Sequence, residues 1–322
     1  MYNLNCVFCH EPYNSALDQS AEGFFCDSCD GFTYFNEDER HNYFLILEDK
    51  TRQETLIPYS TIKFKKQLSP LRYPGGKSKL VNLIYQYINK DNSKHFYSAF
   101  CGGASVELAF LEAGVINHLH LNDLDFGVYS LFWSILNIPE ILIEQINNTV
   151  PTRNLFFKAQ EIIKNDYREV DMVDAAWALL LVNRLAYSGI VKAYPLGGKK
   201  GSQKQLLSRW NPKTLEKRIM TIHSMRDKIT LYNQDAITFI EEAYWTSNST
   251  IFIDPPYVEK GEKLYHLYYQ KDNHIELSIV LDSLYQGFPG SDIIITYDYN
   301  KWLNDYLYDY PERRIIGRKY VI

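Results

Sequence analysis

No stretch of this chain is both long enough and free enough of charge to cross a bilayer. The longest uncharged run, between Asp125 and Glu140, is fourteen residues, against the roughly 20 apolar residues a spanning helix needs. The first residues, Met1 to Cys6, hold neither a basic start nor an apolar run ending in small residues. No secretory leader is read there, and a cytoplasmic chain with no membrane role is expected. Cysteine is scarce, five among 322 residues, which excludes a disulfide-built scaffold, and none of the five follows a proline. Low complexity is missing too: 46% apolar and 23% charged residues exclude a disordered or fibrous chain. What the chain has in quantity is rings, 26 Tyr and 17 Phe, for packing or for stacking on planar ligands.

A net charge of -5 argues against an anionic partner only if the charge is spread evenly, and it is not. Residues 1–60 hold eleven acids against three Lys or Arg, whereas residues 61–79 hold six bases and no acid. A second basic stretch, 190–228, carries ten Lys or Arg against Glu216 and Asp227. The acidic segment repels phosphates; the second basic stretch is suited to meet them.

Four of the five cysteines form two pairs, Cys6-x2-Cys9 and Cys26-x2-Cys29, sixteen residues apart. This is the spacing of two knuckles that close a tetrahedral thiolate site, so a structural Zn2+ is expected at Cys6, Cys9, Cys26 and Cys29. Two disulfides are the competing reading, disfavoured where thiols stay reduced. The aromatic runs Phe24-Phe25 and Phe32 to Phe35 suit short strands, which makes a small zinc ribbon of the segment. Its acidic surplus favours docking on a protein partner, or on the rest of the chain, as much as on nucleic acid.

From about residue 68, helices alternate with short apolar runs, the pattern of an α/β protein with a mostly parallel sheet. Ser78 to Asn89 sets Leu80, Ile84, Tyr87 and Ile88 at helical spacing, and His95 to Phe100 reads as a strand. The strand enters a glycine turn, Cys101-Gly102-Gly103-Ala104-Ser105, with a helix to Ala113 behind it. A second strand, Val115 to Leu121, leads to Asn122-Asp123, about twenty residues past the glycines. Strand, glycine turn, helix, strand and acid make up a nucleoside-binding βαβ unit: the turn lets a ligand approach the backbone, and the acid accepts from ribose hydroxyls. A helix turn needing glycine only for packing is the plainer reading.

Thr250 to Ile253 reads as a strand, and Asp254-Pro255-Pro256-Tyr257 follows at its carboxyl end, the edge where open α/β sheets hold ligands. An exocyclic amine on a nucleobase is a poor nucleophile because its lone pair is delocalised into the ring. A carboxylate and a backbone carbonyl accepting its two hydrogens draw it toward a tetrahedral shape. Two prolines make a rigid turn without competing donors, and a tyrosine offers a stacking face.

The succession Leu71-Arg72-Tyr73-Pro74-Gly75-Gly76-Lys77, Phe100-Cys101-Gly102-Gly103-Ala104-Ser105 and Asp254-Pro255-Pro256-Tyr257 resembles the Dam-type (D12 class) DNA adenine-N6 methyltransferases, which use S-adenosylmethionine. The resemblance implies a Rossmann-like S-adenosylmethionine-dependent methyltransferase fold with an inserted, mainly helical target-recognition region. It implies cofactor contacts at Tyr73, Gly75, Gly76 and Lys77, at Phe100, Gly102, Gly103, Ala104 and Ser105, and at Asp123, Asp235 and Asp254. Asp254, Pro255, Pro256 and Tyr257 are the implied catalytic group. Asn183 to Gly189 resembles the segment that opens the recognition region, and Ile294 to Asp298 a later strand. Cys101 sits at a variable position and is read as loop packing. The chain thus divides into a zinc-ribbon-like domain, 1–62, and a methyltransferase domain, 63–322, with its insert at about 140–228.

The expected reaction is methyl transfer to the amine of a flipped adenine in double-stranded DNA, by direct displacement. Arg184, Tyr187, Lys192, Lys199, Lys200, Lys204 and Arg209 are the candidate DNA contacts, with a solvated loop as the bland alternative. Cytosine-N4 transfer shares the same physics, but its enzymes tend to carry Ser in place of Asp254; a non-catalytic DNA-binding protein of this fold stays open as well. Cytosine-carbon methylation is excluded by the missing Pro-Cys. The chain is expected to act as a monomer, in a bacterium or as a phage-encoded protein beside the nucleoid.

Overall fold

The computed structural model describes residues 41–317 except 53–56, 58–59, 66, 74–75, 90–93, 260 and 265, together with two short strands nearer the N-terminus. Those two, β1 (Gly23–Phe25) and β2 (Phe32–Tyr34), pair antiparallel with Gly23 opposite Tyr34 and Phe25 opposite Phe32. The expected zinc ligands Cys6, Cys9, Cys26 and Cys29 lie outside the described residues.

The main sheet has seven strands: β3 (Tyr43–Asp49), β4 (His95–Ser98), β5 (His118–Asn122), β6 (Ile229–Tyr232), β7 (Ser249–Ile253), β8 (Asp292–Asp298) and β9 (Glu312–Gly317). Their order is β6-β5-β4-β7-β8-β3-β9, and every neighbouring pair runs parallel. The helices are α1 (Val81–Ile84), α2 (Ser105–Glu112), α3 (Phe126–Asn137), α4 (Pro139–Asn148), α5 (Arg153–Lys164), α6 (Met172–Leu185), α7 (Gln203–Leu206), α8 (Pro212–His223), α9 (Ala236–Tyr244), α10 (Gly261–Leu264), α11 (Lys271–Gln286) and α12 (Lys301–Tyr306).

Period-two alternation feeds a core on each face of the sheet. Ile46, Phe96, Leu119, Phe252 and Ile294 pack with α1, α2, α3 and the inserted helices α4 to α8. Leu45, Leu47, Ile251, Ile293 and Ile295 pack with α9, α11 and α12. The long uncharged run forms α3 and the start of α4, bent 105° apart, and Leu131, Phe132 and Ile135 are fully buried. Among the described residues no single helix is long and apolar enough to cross a membrane.

The sequence-read boundary at residue 62 is corrected here. Residues 43–49 lie inside the sheet, with β8 on one side and β9 on the other. Their continuous apolar run, Phe44 to Leu47, is that of a strand buried on both faces, which a small ribbon could not cover.

Candidate active site

The carboxyl ends of β4 to β7 open on a cavity of 410 Å³. At the end of β4 the chain turns through Gly102 at φ +46° and Ala104 at φ +49° before α2 begins. A Cβ at Gly103 would stand 2.8 Å from Ser69 Oγ, and one at Gly102 would stand 3.3 Å from the Tyr73 ring. The glycines therefore let Tyr73 lie flush against the turn. At the end of β5, Asp123 Oδ2 accepts from the Gly102 amide at 2.8 Å and Oδ1 from the Asp125 amide at 3.0 Å. Burial, reinforced by Asp125, pushes the Asp123 carboxyl up to about 7. Past β6, Asp235 caps α9 by accepting from the amides of Ile237 and Thr238.

Asp254, at the end of β7, meets Lys77 Nζ through Oδ1 at 2.7 Å, and Thr296 of β8 donates to the same oxygen at 2.9 Å. Burial raises the Asp254 carboxyl and Lys77 opposes the rise. Lys77 is 3% exposed and also donates to the Tyr257 hydroxyl at 3.4 Å. Tyr257 is itself 5% exposed, with Lys77 5.1 Å and Lys50 5.7 Å from its ring centroid, so the expected stacking face is covered by cations here.

The cavity gathers most of the residues the sequence singled out: Tyr73, Gly76, Lys77, Phe100, Gly102, Gly103, Ala104, Ser105, Asp123, Asp235, Asp254 and Pro256. Gly75 lies outside the described residues, and Pro255 is buried beside them. Cys101 is buried, and burial pushes its thiol well up, as suits loop packing.

Several groups escaped the sequence reading. Asn122 donates to the carbonyls of Ala99 and Gln234 and accepts from the Gln234 amide, which ties the ends of β4, β5 and β6 together. Glu107 on α2 takes a 2.7 Å bond from Ser98, and burial pushes it up to about 7. Glu48 on β3 reaches Lys77 Nζ at 3.4 Å. None of these has a motif of its own; each is seen only when the strands are side by side.

The insert is helical, as expected, but one of its bases faces inward. Arg184 is 7% exposed, donates to the Arg209 carbonyl at 2.7 Å and is lowered to about 10 by desolvation. The expected DNA contact at Arg184 is thereby corrected: α6 is buried from Ala178 to Leu185, and its arginine ties the insert together. Tyr187, Lys192, Lys199, Lys200, Lys204 and Arg209 are exposed. Asn183 Oδ1 accepts from the Arg72 amide at 2.7 Å while its Nδ2 donates to the carbonyls of Arg72 and Gly189. Beyond the tetrad, His266 meets Asp166 at 2.8 Å and Tyr269 packs edge-on to Phe100, closing a wall of the cavity.

A doubly wound parallel sheet with this cleft at its carboxyl edge is the architecture of the nucleoside-binding α/β folds, to which the Rossmann-like methyltransferases belong. The chain belongs to the D12 class N6 adenine-specific DNA methyltransferase family, whose sequence profile it matches over residues 73–318. No curated protein matches it. The family's reaction is methylation of adenine at N6 in DNA, with S-adenosylmethionine as donor.

Proposed function

We propose that S-adenosylmethionine lies in the 410 Å³ cavity and that the tetrad carries the transfer, Asp254 and Pro256 from the cavity wall and Pro255 and Tyr257 from beside it, where Tyr257 lines a neighbouring cavity with Glu48 and Lys50. The Lys77–Asp254 contact carries this reading, because it joins the two most separated motifs at the end of β7, where the cavity opens. The cavity suits the cofactor: the glycine turn and the Tyr73 ring packed on it form its wall, and Asp123 sets a carboxylate beside them. Tyr73, the turn from Phe100 to Ser105, Asp123 and Asp235 would hold it, and when bound it supplies an electrophilic methyl on a sulfonium. Asp254 accepts from the adenine N6 amine through Oδ2, Oδ1 being taken by Lys77 and Thr296. The rigid Pro255-Pro256 turn fixes a carbonyl as second acceptor, and Tyr257 is the ring assigned to the flipped base.

Methyladenine confined to one short motif, in DNA from a methylation-deficient host expressing the protein and absent with Asp254→Ala, is the result expected. Modified DNA from the Asp254→Ala strain would remove Asp254 from the mechanism.

Asp123 must be ionised to accept two ribose hydroxyls, and its carboxyl sits at about 7. Cofactor affinity therefore rises with pH, about tenfold between roughly pH 6 and 8, and much of that rise disappears in Asp123→Asn. Calorimetric titration across the range checks it; a flat wild-type profile removes the ribose role.

The exposed bases of the insert, Lys192, Lys199, Lys200, Lys204 and Arg209, with Tyr187, form the DNA-facing surface of this reading. Replacing Lys199 and Lys200 together by Ala should weaken binding about equally on all sequences and lower the salt slope by about 1–2. An unchanged slope takes the loop out of the interface.

The segment ahead of β3 is read as a zinc ribbon. Its support is the hairpin of β1 and β2, whose sequence connection carries Cys26 and Cys29. Purified protein should hold about one zinc per chain, lost in Cys26→Ser; folded protein without zinc refutes the site. We assign its acidic surface to docking on a protein partner. One chain supplies every cleft residue named above, which supports action as a monomer.

A further inference from the structure

Strand β3 precedes the family-matched residues 73–318, yet it is an interior strand of the sheet. One row of its side chains, Phe44, Ile46 and Glu48, faces the core that holds α1 and α2. The third position of that row calls for an apolar residue and holds a glutamate 1% exposed. Buried carboxylates persist where they are paired, and the cation here is Lys77, itself 3% exposed. Around the Lys77 ammonium stand Asp254 at 2.7 Å, the Tyr257 hydroxyl as a hydrogen-bond acceptor at 3.4 Å, and Glu48 Oε1 as an ion-pair partner at 3.4 Å.

Two carboxylates on one ammonium change what each of them can do. With Asp254 as its sole counter-ion, Lys77 would take up most of that carboxylate's charge, and a neutralised carboxylate is a poor acceptor for an amine. We propose that Glu48 is a positioning residue of the methyl transfer, balancing the Lys77 charge so that Asp254 stays an acceptor for the target amine. The proposal rests on Asp254 and Lys77 being working groups, as argued above. It makes a strand outside the family's matched region part of the catalytic apparatus.

The test uses the full chain with Glu48→Gln, which keeps the shape and one acceptor while removing the charge. The expected kcat is lower by about tenfold or more, with KM for cofactor and DNA little changed. The charged and titratable groups around Asp254 are Lys77 and Glu48 from the N-terminal side and Glu107 on α2, with Thr296 as a neutral donor on β8; Tyr257, reached through Lys77, has Lys50 near its ring, itself paired with Asp298. Loss of the Glu48 charge removes one upward push on Asp254, so the acid limb of the kcat profile moves to lower pH. A residue that only filled space would leave that limb in place.

A double variant, Glu48→Gln with Lys77→Met, deletes the buried ion pair and guards against a single variant that does not fold. If Glu48 acts through Lys77, the double variant is no slower than Lys77→Met alone. Additive losses, or Glu48→Gln with wild-type kcat and an unmoved acid limb, overturn the proposal. Asp254→Asn or Lys77→Met at near wild-type kcat would instead sink the underlying reading of the site, a result that Glu48→Gln cannot mimic.

Discussion

Asp254→Asn is expected to cut the kcat of methyl transfer by about a thousandfold or more, while cofactor affinity moves by less than about tenfold. The carboxylate is an acceptor on both oxygens, and Lys77 and Thr296 hold one of them in place. An amide of the same shape has one acceptor and two donors. If its oxygen keeps Lys77 and Thr296, its NH2 faces an adenine amine that also has only hydrogens to offer. If it flips, a donor confronts the ammonium at 2.7 Å. Neither orientation draws the N6 lone pair toward the methyl. Single-turnover transfer of labelled methyl into a duplex bearing the recognised word reads the effect, with a thermal melt to show that the variant is folded. A folded Asp254→Asn within tenfold of wild type would contradict the role assigned to this carboxylate.

The second large effect is on stability. Gly189 sits at φ +78°, and a Cβ there would stand 2.2 Å from the Arg72 carbonyl oxygen, a backbone atom that cannot swing away. Asn183 bonds the carbonyls of both residues at 3.0 Å, so the two segments cannot separate without breaking those bonds. Gly189→Ala should therefore cost about 3 kcal/mol, from left-handed strain plus the collision. Gly198 is the comparison: its φ is +71°, but a Cβ there meets nothing within 4 Å, so Gly198→Ala should cost only about 1 kcal/mol. Chemical denaturation of the two variants separates strain from collision; equal losses would show that the contact with Arg72 carries no weight. Because Arg72 adjoins Tyr73 on the cavity wall, Gly189→Ala should also raise KM for the cofactor more than KM for DNA.

The parts of the site legible in the sequence share one property: each is a short run whose chemistry is complete in itself. The glycines at 102 and 103, the acid at 123 and the tetrad at 254 announce a tight turn, a ribose acceptor and an amine acceptor without reference to the fold. Glu48 carries no such sign, since its meaning comes from Lys77 and Asp254 across the sheet. The apolar run of β3 was readable as a buried strand, but its surplus of neighbouring acids grouped it with the cysteines. Arg184 misled for the opposite reason. A base in the segment that resembles the opening of the recognition region reads as a surface charge, and only the structure shows that it is buried and bonds the Arg209 carbonyl. Asn183 opened the recognition segment in sequence, and in the structure it fastens that segment to the loop before Tyr73.

The position of β3 also has a consequence for how the molecule comes into being. It leaves the ribosome before the other six strands of its sheet, yet its partners β8 and β9 are the last two to be made. A growing chain must therefore keep an apolar strand unpaired through most of its synthesis, and the strand finds its slot only when the C-terminal segment arrives. β9 touches the rest of the sheet through β3 alone. Loss of β3 would leave β9 without a partner and β8 as the sheet's edge, so this early strand works as a late latch that closes the sheet only once β8 and β9 have followed it.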